Sequence, residues 1–378
     1  MIIQRRHFLI GGAAAGLLPG AVRAQDPAPK PPAPRTAFDF TDGKIRVPVR
    51  VKGIDVSAVL DSGGQYHAMD KGLAQTLGIA LYDKVSLSTL SGSVSGRLSD
   101  PVDIVVAGQS LNQSQFVVLD LSRLSQSVGR PVDLIIGGPV FRRFDVDIDF
   151  AGKTLAIMPP NDYELPENGS MAPLKAATRG MTVEVILPVG SVQATVDTGS
   201  EACLTFSPAA AQRLGVLKGG PVSTALIGGL AGSKVGQVSS IRDILISGQE
   251  FKDLPIVVAP REFGADAVLG CGVLSHCRVA FDFPGDWLIL SERAERPFRR
   301  DLTGLQASPQ GEVLKVTHVA KGGPAEKAGF RTGERITAIN GEPAVAANAR
   351  LTGAAAATAV SFTLQGGKTR ALTLARYY

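Results

Sequence analysis

The chain has 378 residues, a length that allows two or three domains. Hydrophobic residues make up 44%, and the 43 Gly and 24 Pro favour many short strands and turns over long helices. The net charge of +5 falls by three, to +2, without the arginines of a predicted leader, and the other basic residues are scattered. No basic stripe indicates a nucleic-acid partner.

Residues 1–24 are typical of an export signal. Arg5 and Arg6 precede a modest apolar run, Leu9–Leu18, and Val22-Arg23-Ala24 fits a small-residue cleavage site. The paired arginines are typical of a bacterial twin-arginine signal, with an ordinary secretory signal or an uncleaved anchor as alternatives. No other apolar run approaches the ~18 residues that span a bilayer. We therefore expect a periplasmic or otherwise exported protein with no stable membrane span once the signal is cleaved.

Residues 25–36 hold five prolines and predict a stiff, extended linker. Strand patterns then predict a first lobe over residues 37–160. Its elements are a hairpin (Lys44–Val51 and Ile54–Leu60), a short helix (Met69–Leu77), a hairpin with its tip at Ser91–Gly96 and its return through Val102–Val106, strands at 116–119, 133–138, 146–150 and 154–158, and a helical turn at Phe141–Asp145.

The second half repeats this order and predicts a second lobe over residues 161–293. A hairpin over 182–196 is followed by a helix at Pro208–Leu214 and a second flexible tip at Gly228–Gly232. Six positions match at an offset of 133: Asp133, Gly137, Asp149, Phe150, Gly152 and Leu155 correspond to Asp266, Gly270, Asp282, Phe283, Gly285 and Leu288. This registration predicts an internal duplication of about 120 residues.

Each predicted first hairpin runs into an Asp-hydroxyl-Gly turn, Asp61-Ser62-Gly63 and Asp197-Thr198-Gly199. Two carboxylates close enough to share one proton cannot both ionise near neutral pH. Such a pair can activate a water molecule with one group and protonate a leaving group with the other. We therefore interpret Asp61 and Asp197 as a catalytic pair, with Gly63 and Gly199 allowing the two backbones to approach closely.

Each half resembles a lobe of the pepsin and retropepsin aspartic proteases. The resemblance rests on the two Asp turns, on the later apolar-apolar-Gly strands (Ile135-Ile136-Gly137 and Val268-Leu269-Gly270), and on the hairpins between them. It implies a mainly β, bilobal protease that cleaves peptides as a monomer without a metal or cofactor. It also implies that the Ser62 and Thr198 hydroxyls reach across to the opposite backbone. Gly64 departs from the family pattern because it lacks the hydroxyl that Ser200 supplies in the second turn.

The two hairpin tips resemble flaps that close on an extended peptide. Gly92, Gly96, Gly228 and Gly232 supply their mobility and are the candidate substrate-binding positions. Plain Gly-rich hairpins are the alternative. The first tip has no Tyr, which favours the retropepsin branch of the family.

The remaining reactive side chains are three cysteines and His67. No His stands at metal-ligand spacing from Cys203, Cys271 or Cys277, so a zinc site is not expected. In lobes of the family, the segments around Cys203 and Cys271 lie side by side, which suggests a disulfide between them. His67 lacks a Ser or Cys nucleophile at recognisable spacing, and we interpret it as structural and partly exposed.

Residues 300–378 resemble a bacterial PDZ domain, with the signature at Gly322–Phe330, Gly329 closing a short helix, and an Asn340-Gly341 hairpin turn. PDZ domains bind a peptide C-terminus as an added strand, and the candidate carboxylate loop contains Gly304 and Leu305. A PDZ domain that packs on the lobes and regulates access is the alternative. The sequence thus predicts an exported aspartic endopeptidase that acts on a protein or peptide, with an inactive peptide-binding adaptor as the competing function.

Overall fold

The computed structural model describes residues 33–41, 43–89, 92–178, 180–260, 263–351 and 355–378. The predicted leader and most of the predicted linker lie outside the described residues. The described chain is mainly β, with two similar β lobes and a small C-terminal α+β domain, which confirms the predicted fold class. No helix within these ranges is long and apolar enough to cross a membrane.

The first lobe consists of short strands with two small helices. Its elements are β1 (Thr36–Ala37), β2 (Arg46–Val51), β3 (Ile54–Leu60), β4 (His67–Asp70), α1 (Lys71–Thr76), β5 (Leu81–Ser88), β6 (Ser93–Ser99), β7 (Val102–Val106), β8 (Gln109–Ser114), β9 (Phe116–Leu119), α2 (Ser122–Val128), β10 (Leu134–Ile136), β11 (Asp145–Asp149) and β12 (Thr154–Met158). The hairpin that starts with β5 returns through β6, whereas the prediction gave its return as Val102–Val106, which is β7. The predicted helical turn at Phe141 is present, since the Arg142 and Phe144 amides donate to the Gly138 and Val140 carbonyls (both 3.0 Å).

The second lobe repeats this arrangement. Its elements are β13 (Ser170–Ala177), β14 (Gly180–Leu187), β15 (Gly190–Asp197), β16 (Leu204–Phe206), α3 (Pro208–Leu214), β17 (Ser223–Ile227), β18 (Lys234–Ile246), β19 (Gln249–Val258), β20 (Ala267–Gly270), α4 (Cys271–Leu274), β21 (Arg278–Asp282) and β22 (Trp287–Ser291). Ser207 caps α3 by accepting a hydrogen bond from the Ala210 amide, and Gly215 ends it in the left-handed region.

The same strand pairing surrounds the Asp turn in both lobes. β3, which leads to Asp61, runs parallel to β10, and β15, which ends at Asp197, runs parallel to β20. On their other sides, β10 and β20 pair antiparallel with β4 and β16. The predicted apolar-apolar-Gly strands therefore lie directly beside the strands that carry the carboxylates, as an internal duplication requires.

Strands from both lobes join in one 13-stranded sheet, and the strands at the junction run antiparallel. β11 of the first lobe pairs with β21 of the second, so that Val146 lies opposite Phe281. Asp147, which is 2% exposed, accepts hydrogen bonds from Arg278 of the second lobe. This shared sheet fixes the two lobes as halves of one body within a single chain.

The C-terminal domain is a six-stranded sheet with its own hydrophobic core. Its elements are β23 (Leu305–Gln310), β24 (Val313–Val319), α5 (Pro324–Lys327), β25 (Arg335–Ile339), β26 (Glu342–Pro343), α6 (Ala344–Leu351), β27 (Ala359–Leu364) and β28 (Thr369–Thr373). Asn340 and Gly341 both have positive φ angles, 51° and 83°, as the predicted Asn-Gly hairpin turn requires.

Candidate active site

The two Asp turns face each other across the contact between the lobes. A methyl group built on Gly199 would lie 2.6 Å from Cγ of Asp61, and one built on Gly63 would lie 2.6 Å from Cγ of Asp197. Each glycine therefore packs directly on the carboxyl group of the opposite lobe. Only a residue without a side chain fits at these two positions, which is the close approach that the sequence predicts.

The Ser62 and Thr198 hydroxyls lock the turns together. Thr198 Oγ1 accepts a hydrogen bond from the Ser62 amide (2.9 Å) and donates to the Leu60 carbonyl (2.9 Å). Ser62 Oγ accepts from the Thr198 amide (3.0 Å) and donates to the Val196 carbonyl (2.9 Å). Both side chains are almost completely buried, so the lobes are joined by four hydrogen bonds shielded from water.

We expect Thr198→Val to lower the free energy of unfolding by about 2–4 kcal/mol, because it leaves the buried Ser62 amide and Leu60 carbonyl without the hydroxyl between them. Urea unfolding monitored by circular dichroism measures this loss. Thr198→Ser is the matched control, because it keeps the hydroxyl. Its loss of unfolding free energy should be less than half of the loss in Thr198→Val. Equal destabilisation by both variants would show that the hydroxyl does not lock the turns.

The glycine after the two apolar residues of each apolar-apolar-Gly strand packs against the backbone that follows the Asp turn of the same lobe. A methyl group on Gly137 would lie 2.1 Å from the Tyr66 carbonyl oxygen, and one on Gly270 would lie 2.4 Å from the Ala202 carbonyl oxygen. The Asp61 amide also donates to the Ile136 carbonyl (2.9 Å). Each carboxylate is therefore held by a rigid, densely packed platform.

Asp61 is half-buried, and the environment of its carboxyl group favours the protonated form. Burial, the negative charge of Asp197 and a hydrogen bond with the Asp197 side chain raise the pKa of Asp61 well above its ordinary value. The Gly199 amide donates to Asp197 Oδ1 (2.7 Å), and the Gly64 amide donates to the Asp61 backbone carbonyl (3.2 Å). The Asp61 carboxyl group therefore keeps its proton to a higher pH than an ordinary aspartate does.

Gly64, the departure from the family pattern, does not disturb the first turn. Its amide contributes to holding Asp61, and a methyl group built on it would lie 3.3 Å from Asp61 Oδ2. Within the described part of the chain, Asp61 Oδ1 is buried and has no hydrogen-bond partner.

We expect Asp61→Asn to change the pH dependence of folding. Because the pKa of Asp61 is raised in the folded state, its contribution to stability is complete below the unfolded value of about 3.8 and is lost as the pH rises through the folded-state pKa. Asparagine does not titrate, so the variant does not lose this stability. The unfolding free energy of the variant minus that of wild type should therefore increase as the pH rises from about 4 towards 7. Urea unfolding at several pH values measures the difference.

Asp55→Asn is the control, because its stability relative to wild type should change with pH in the opposite direction. A hydrogen bond from Arg50 holds the pKa of the exposed Asp55 below its ordinary value, so this carboxylate stabilises the fold only above the unfolded pKa. Its replacement should become less favourable, not more favourable, as the pH rises. A wild-type-minus-variant difference for Asp61→Asn that does not change with pH would contradict the proton assignment.

Lys44 and Glu201 belong to the site but were not predicted from the sequence. Lys44 is 8% exposed, and its Nζ donates to the Gly199 carbonyl (2.6 Å) and pairs with Glu201 (2.9 Å). Burial opposes the charge of Lys44, but the charge and hydrogen bond of Glu201, together with the charge of Asp197, outweigh it and the pKa of Lys44 is raised. Glu201 lies four residues after Asp197, as Gln65, which donates to the Thr178 carbonyl, lies four after Asp61. That repeated spacing was the available signal.

A cavity of about 650 Å³ lies over the two carboxyl groups. Gly228 and the neighbouring tip residues of the β17–β18 hairpin line it, whereas Gly92, Gly96 and Gly232 are not among its lining residues. Gly92 lies at the first tip, before β6. Gly96 lies within β6 opposite Val85, where a methyl group would meet Val117 Cγ1 at 2.5 Å. The prediction of Gly96 as a tip residue is therefore wrong, and its absence of a side chain serves strand packing.

The three cysteines are free, buried thiols, so the suggested Cys203–Cys271 disulfide is not formed. The Cys271 thiol instead donates to the Thr198 carbonyl at 3.3 Å. Burial raises the pKa of Cys203 to about 12, which keeps this thiol protonated and unreactive. Within the described ranges, no cluster of His, Cys, Asp and Glu is placed to hold a metal ion.

His67 is structural, as expected, but it is 4% exposed and not partly exposed as predicted. Its Nδ1 accepts a hydrogen bond from the Gly137 amide (3.0 Å), which connects β4 to the end of β10. Burial, with the nearby Arg142, lowers the pKa of His67 to about 4. The neutral ring is therefore one more support beneath the first turn.

The candidate carboxylate loop of the C-terminal domain is engaged within the chain. The Thr303 and Gly304 amides donate to Asp301 Oδ1 (2.8 and 3.2 Å), and the Leu305 amide donates to Thr303 Oγ1 (2.9 Å). Four residues of this domain also line the cavity over the carboxyl groups: Asp301, Gln306, Tyr377 and Tyr378. Packing of this domain on the lobes was the alternative expectation, whereas its contribution to the cavity over the carboxyl groups was not predicted.

Comparison with known proteins agrees with these observations. A family model described as aspartyl protease matches residues 47–140 and 188–273, and a PDZ domain model matches residues 315–365. Among solved structures, the aspartic proteinase from Irpex lacteus is similar at 13% identity and a TM-score of 0.45, over 69% of this chain and 98% of that one. A search of curated proteins found no match.

Proposed function

Since the chain carries two aspartyl protease repeats followed by a PDZ domain, we propose that it is an aspartic endopeptidase that cleaves peptide bonds with Asp61 and Asp197. One observation carries this proposal: each Asp turn packs its glycine on the carboxyl group of the opposite lobe, so that Asp61 and Asp197 lie together at one cavity. The charge of Asp197 and burial also raise the pKa of Asp61. A pair of carboxyl groups at different protonation states is what acid-base hydrolysis needs. A cavity large enough for several side chains lies above it.

The geometry assigns different starting roles to the two groups. Asp197, held by the Gly199 amide, takes a proton from a water molecule as that water attacks the peptide carbonyl. The protonated Asp61 donates its proton to the developing oxyanion. When the tetrahedral intermediate collapses, the proton now held by Asp197 passes to the leaving nitrogen and a hydroxyl of the intermediate returns a proton to Asp61. Both carboxyl groups are then back in their starting states, and one water molecule has been consumed.

The competing function, a peptide-binding adaptor without catalysis, is not favoured. An adaptor has no need for two carboxyl groups packed together in a cleft, because placing like charges side by side costs stability. The turns also keep both glycines and both hydroxyls that position the carboxyls. For the PDZ domain, regulation within the chain is better supported than recognition of a peptide C-terminus, because the Gly304 and Leu305 amides are already hydrogen-bonded.

We further propose that the protease acts in the bacterial periplasm or outside the cell, on protein or peptide substrates and as a monomer. The support for export is the twin-arginine pattern within residues 1–24. The support for a monomeric enzyme is that both carboxyl groups of the pair come from one chain.

The test is cleavage of a mixed peptide library by the protein without its leader, at several values between about pH 3 and pH 7, the range over which paired carboxyls titrate. Products are identified by mass spectrometry. We expect wild type to give discrete cleavage products that the Asp61→Asn, Asp197→Asn double variant does not give. Identical product profiles for the two proteins would overturn the proposal.

A further inference from the structure

The second hairpin, β17–β18, is held by the PDZ domain along the outer edge of β17. β17 is the last strand of the 13-stranded sheet, so one of its edges has no neighbouring strand in that sheet. Such an edge exposes backbone groups that need partners. Here the partners come from the β23–β24 hairpin of the PDZ domain.

Gln306, on β23, supplies the central contact. Its side-chain Oε1 accepts from the Leu226 amide (2.6 Å), and its Nε2 donates to the Leu226 carbonyl (3.1 Å). A side-chain amide thus makes the pair of hydrogen bonds that a peptide group of a neighbouring strand would make. The outer edge of β17 at Leu226 is consequently closed to a substrate strand.

His318, near the end of β24, and Lys321, just after this strand, extend the attachment. His318 Nε2 lies 3.0 Å from Thr224 Oγ1. The Lys321 amide donates to Thr224 Oγ1 (3.2 Å), and its carbonyl accepts from Ser223 Oγ (2.6 Å). We call Gln306, His318 and Lys321 the PDZ clamp. It holds three of the five residues of β17.

The tip of the same hairpin reaches the first lobe. Leu230 packs, as do Leu124 and Val128 of α2, against a buried cluster of the first lobe. A methyl group on Gly228 would lie 3.3 Å from Ser127 Cβ, also on α2. The hairpin is therefore anchored at both ends, by the clamp on one side and by α2 on the other, and it roofs the cavity over Asp61 and Asp197.

The PDZ domain is also a wall of that cavity. Asp301, which holds the Thr303–Leu305 loop closed, accepts a hydrogen bond from Tyr377 Oη (2.8 Å) through its second oxygen. Arg300, which lies beneath Tyr378, donates to Ser240 Oγ of β18 (2.6 Å). The groups that would bind a peptide C-terminus are thus part of the structure that borders the protease cleft.

We propose that the PDZ clamp positions the second hairpin as the roof of the substrate cleft, so that the PDZ domain is a fixed part of the substrate-binding site and not a recruiting module. Gln306 is the principal positioning residue. This inference deepens the proposed protease function and rests on it. The substrate it implies is an extended peptide that enters past the PDZ wall and whose binding requires the roof to be held in place.

The test compares Gln306→Ala with Gln310→Ala, the same change on the same strand at an exposed position not in contact with β17. In hydrogen–deuterium exchange of the full chain, we expect amides of Ser223–Ile227 to exchange about tenfold faster in Gln306→Ala, because two hydrogen bonds to Leu226 are lost. Gln310→Ala should match wild type. Thr224→Val, which alters the contact from the protease side, should act in the same direction as Gln306→Ala.

With a peptide cleaved by wild type, Gln306→Ala should raise KM by about threefold or more and change kcat less, because the roof acts in binding. Equal exchange in Gln306→Ala and Gln310→Ala would overturn the clamp, as would an unchanged KM. Failure of the proposed protease function would look different: wild type would show no cleavage that depends on Asp61 and Asp197, while the exchange contrast between the two glutamine variants would persist.

Discussion

Asp61→Asn and Asp197→Asn are each expected to lower kcat for peptide hydrolysis by about 10³-fold or more, since each removes a proton donor or acceptor from the reacting centre. An asparagine is close in shape to aspartate, so the packing of Gly63 and Gly199 on these side chains should survive. KM should change little. Steady-state kinetics with one peptide from the library measures both quantities.

Asp145→Asn is the matched control. Asp145 is also buried, and burial together with the nearby Asp282 raises its pKa to about 6, but it lies in the sheet between the lobes and not on the cavity. If hydrolysis depends on the pair at the cavity, Asp145→Asn should keep kcat within about threefold of wild type, as a change away from the reacting centre should. Comparable losses in all three variants would indicate a general effect on folding and would remove the support for the catalytic assignment.

Gly199→Ala is expected to lower kcat/KM by about 100-fold or more. The added methyl group would lie 2.6 Å from Asp61 Cγ, 2.7 Å from its Oδ1 and 2.9 Å from its Oδ2, so the carboxyl group must move. Displacement of a reacting group by about 1 Å costs on the order of 10²-fold in rate. Kinetics on the same peptide measures the loss, and crystallography of the variant measures the displacement.

Alanine substitutions at two other glycines, where a methyl group has more space, serve as comparisons for Gly199→Ala. Gly64→Ala places a methyl group 3.3 Å from Asp61 Oδ2, a contact that a small shift relieves, so its loss of kcat/KM should be smaller than that of Gly199→Ala. Gly219→Ala meets no atom within 4 Å and should behave as wild type. If Gly199→Ala retained full activity, the close packing of the turns would not be what positions Asp61.

The carboxyl pair and its supporting strands were predictable because the same pattern occurs in both halves of the sequence. Asp61 and Asp197 each follow an alternating apolar strand, and each has an apolar-apolar-Gly strand at a matching distance, so one local pattern supports the other. The Asn340-Gly341 turn was predictable for a different reason, since few residue pairs accept two positive φ angles.

Features that depend on packing between distant segments were not predictable. β4 and β16 are short, and their residues are largely buried, so no alternation marks them as strands. Gly96 was assigned to a tip because glycine is common in turns, whereas its backbone runs against Val117 and Val118. Lys44 and the PDZ clamp meet their partners only through tertiary contacts, and periodicity carries no information about such contacts.

The central claim is that Asp61 and Asp197 act as one proton-sharing unit, and comparing the single variants with the double variant tests it most directly. The measurement is kcat for one cleaved peptide with wild type, Asp61→Asn, Asp197→Asn and the double variant. Residues that act as a unit are non-additive, so the double variant should be no slower than the slower single variant, within about threefold. A double variant whose loss equals the product of the two single losses would contradict the claim.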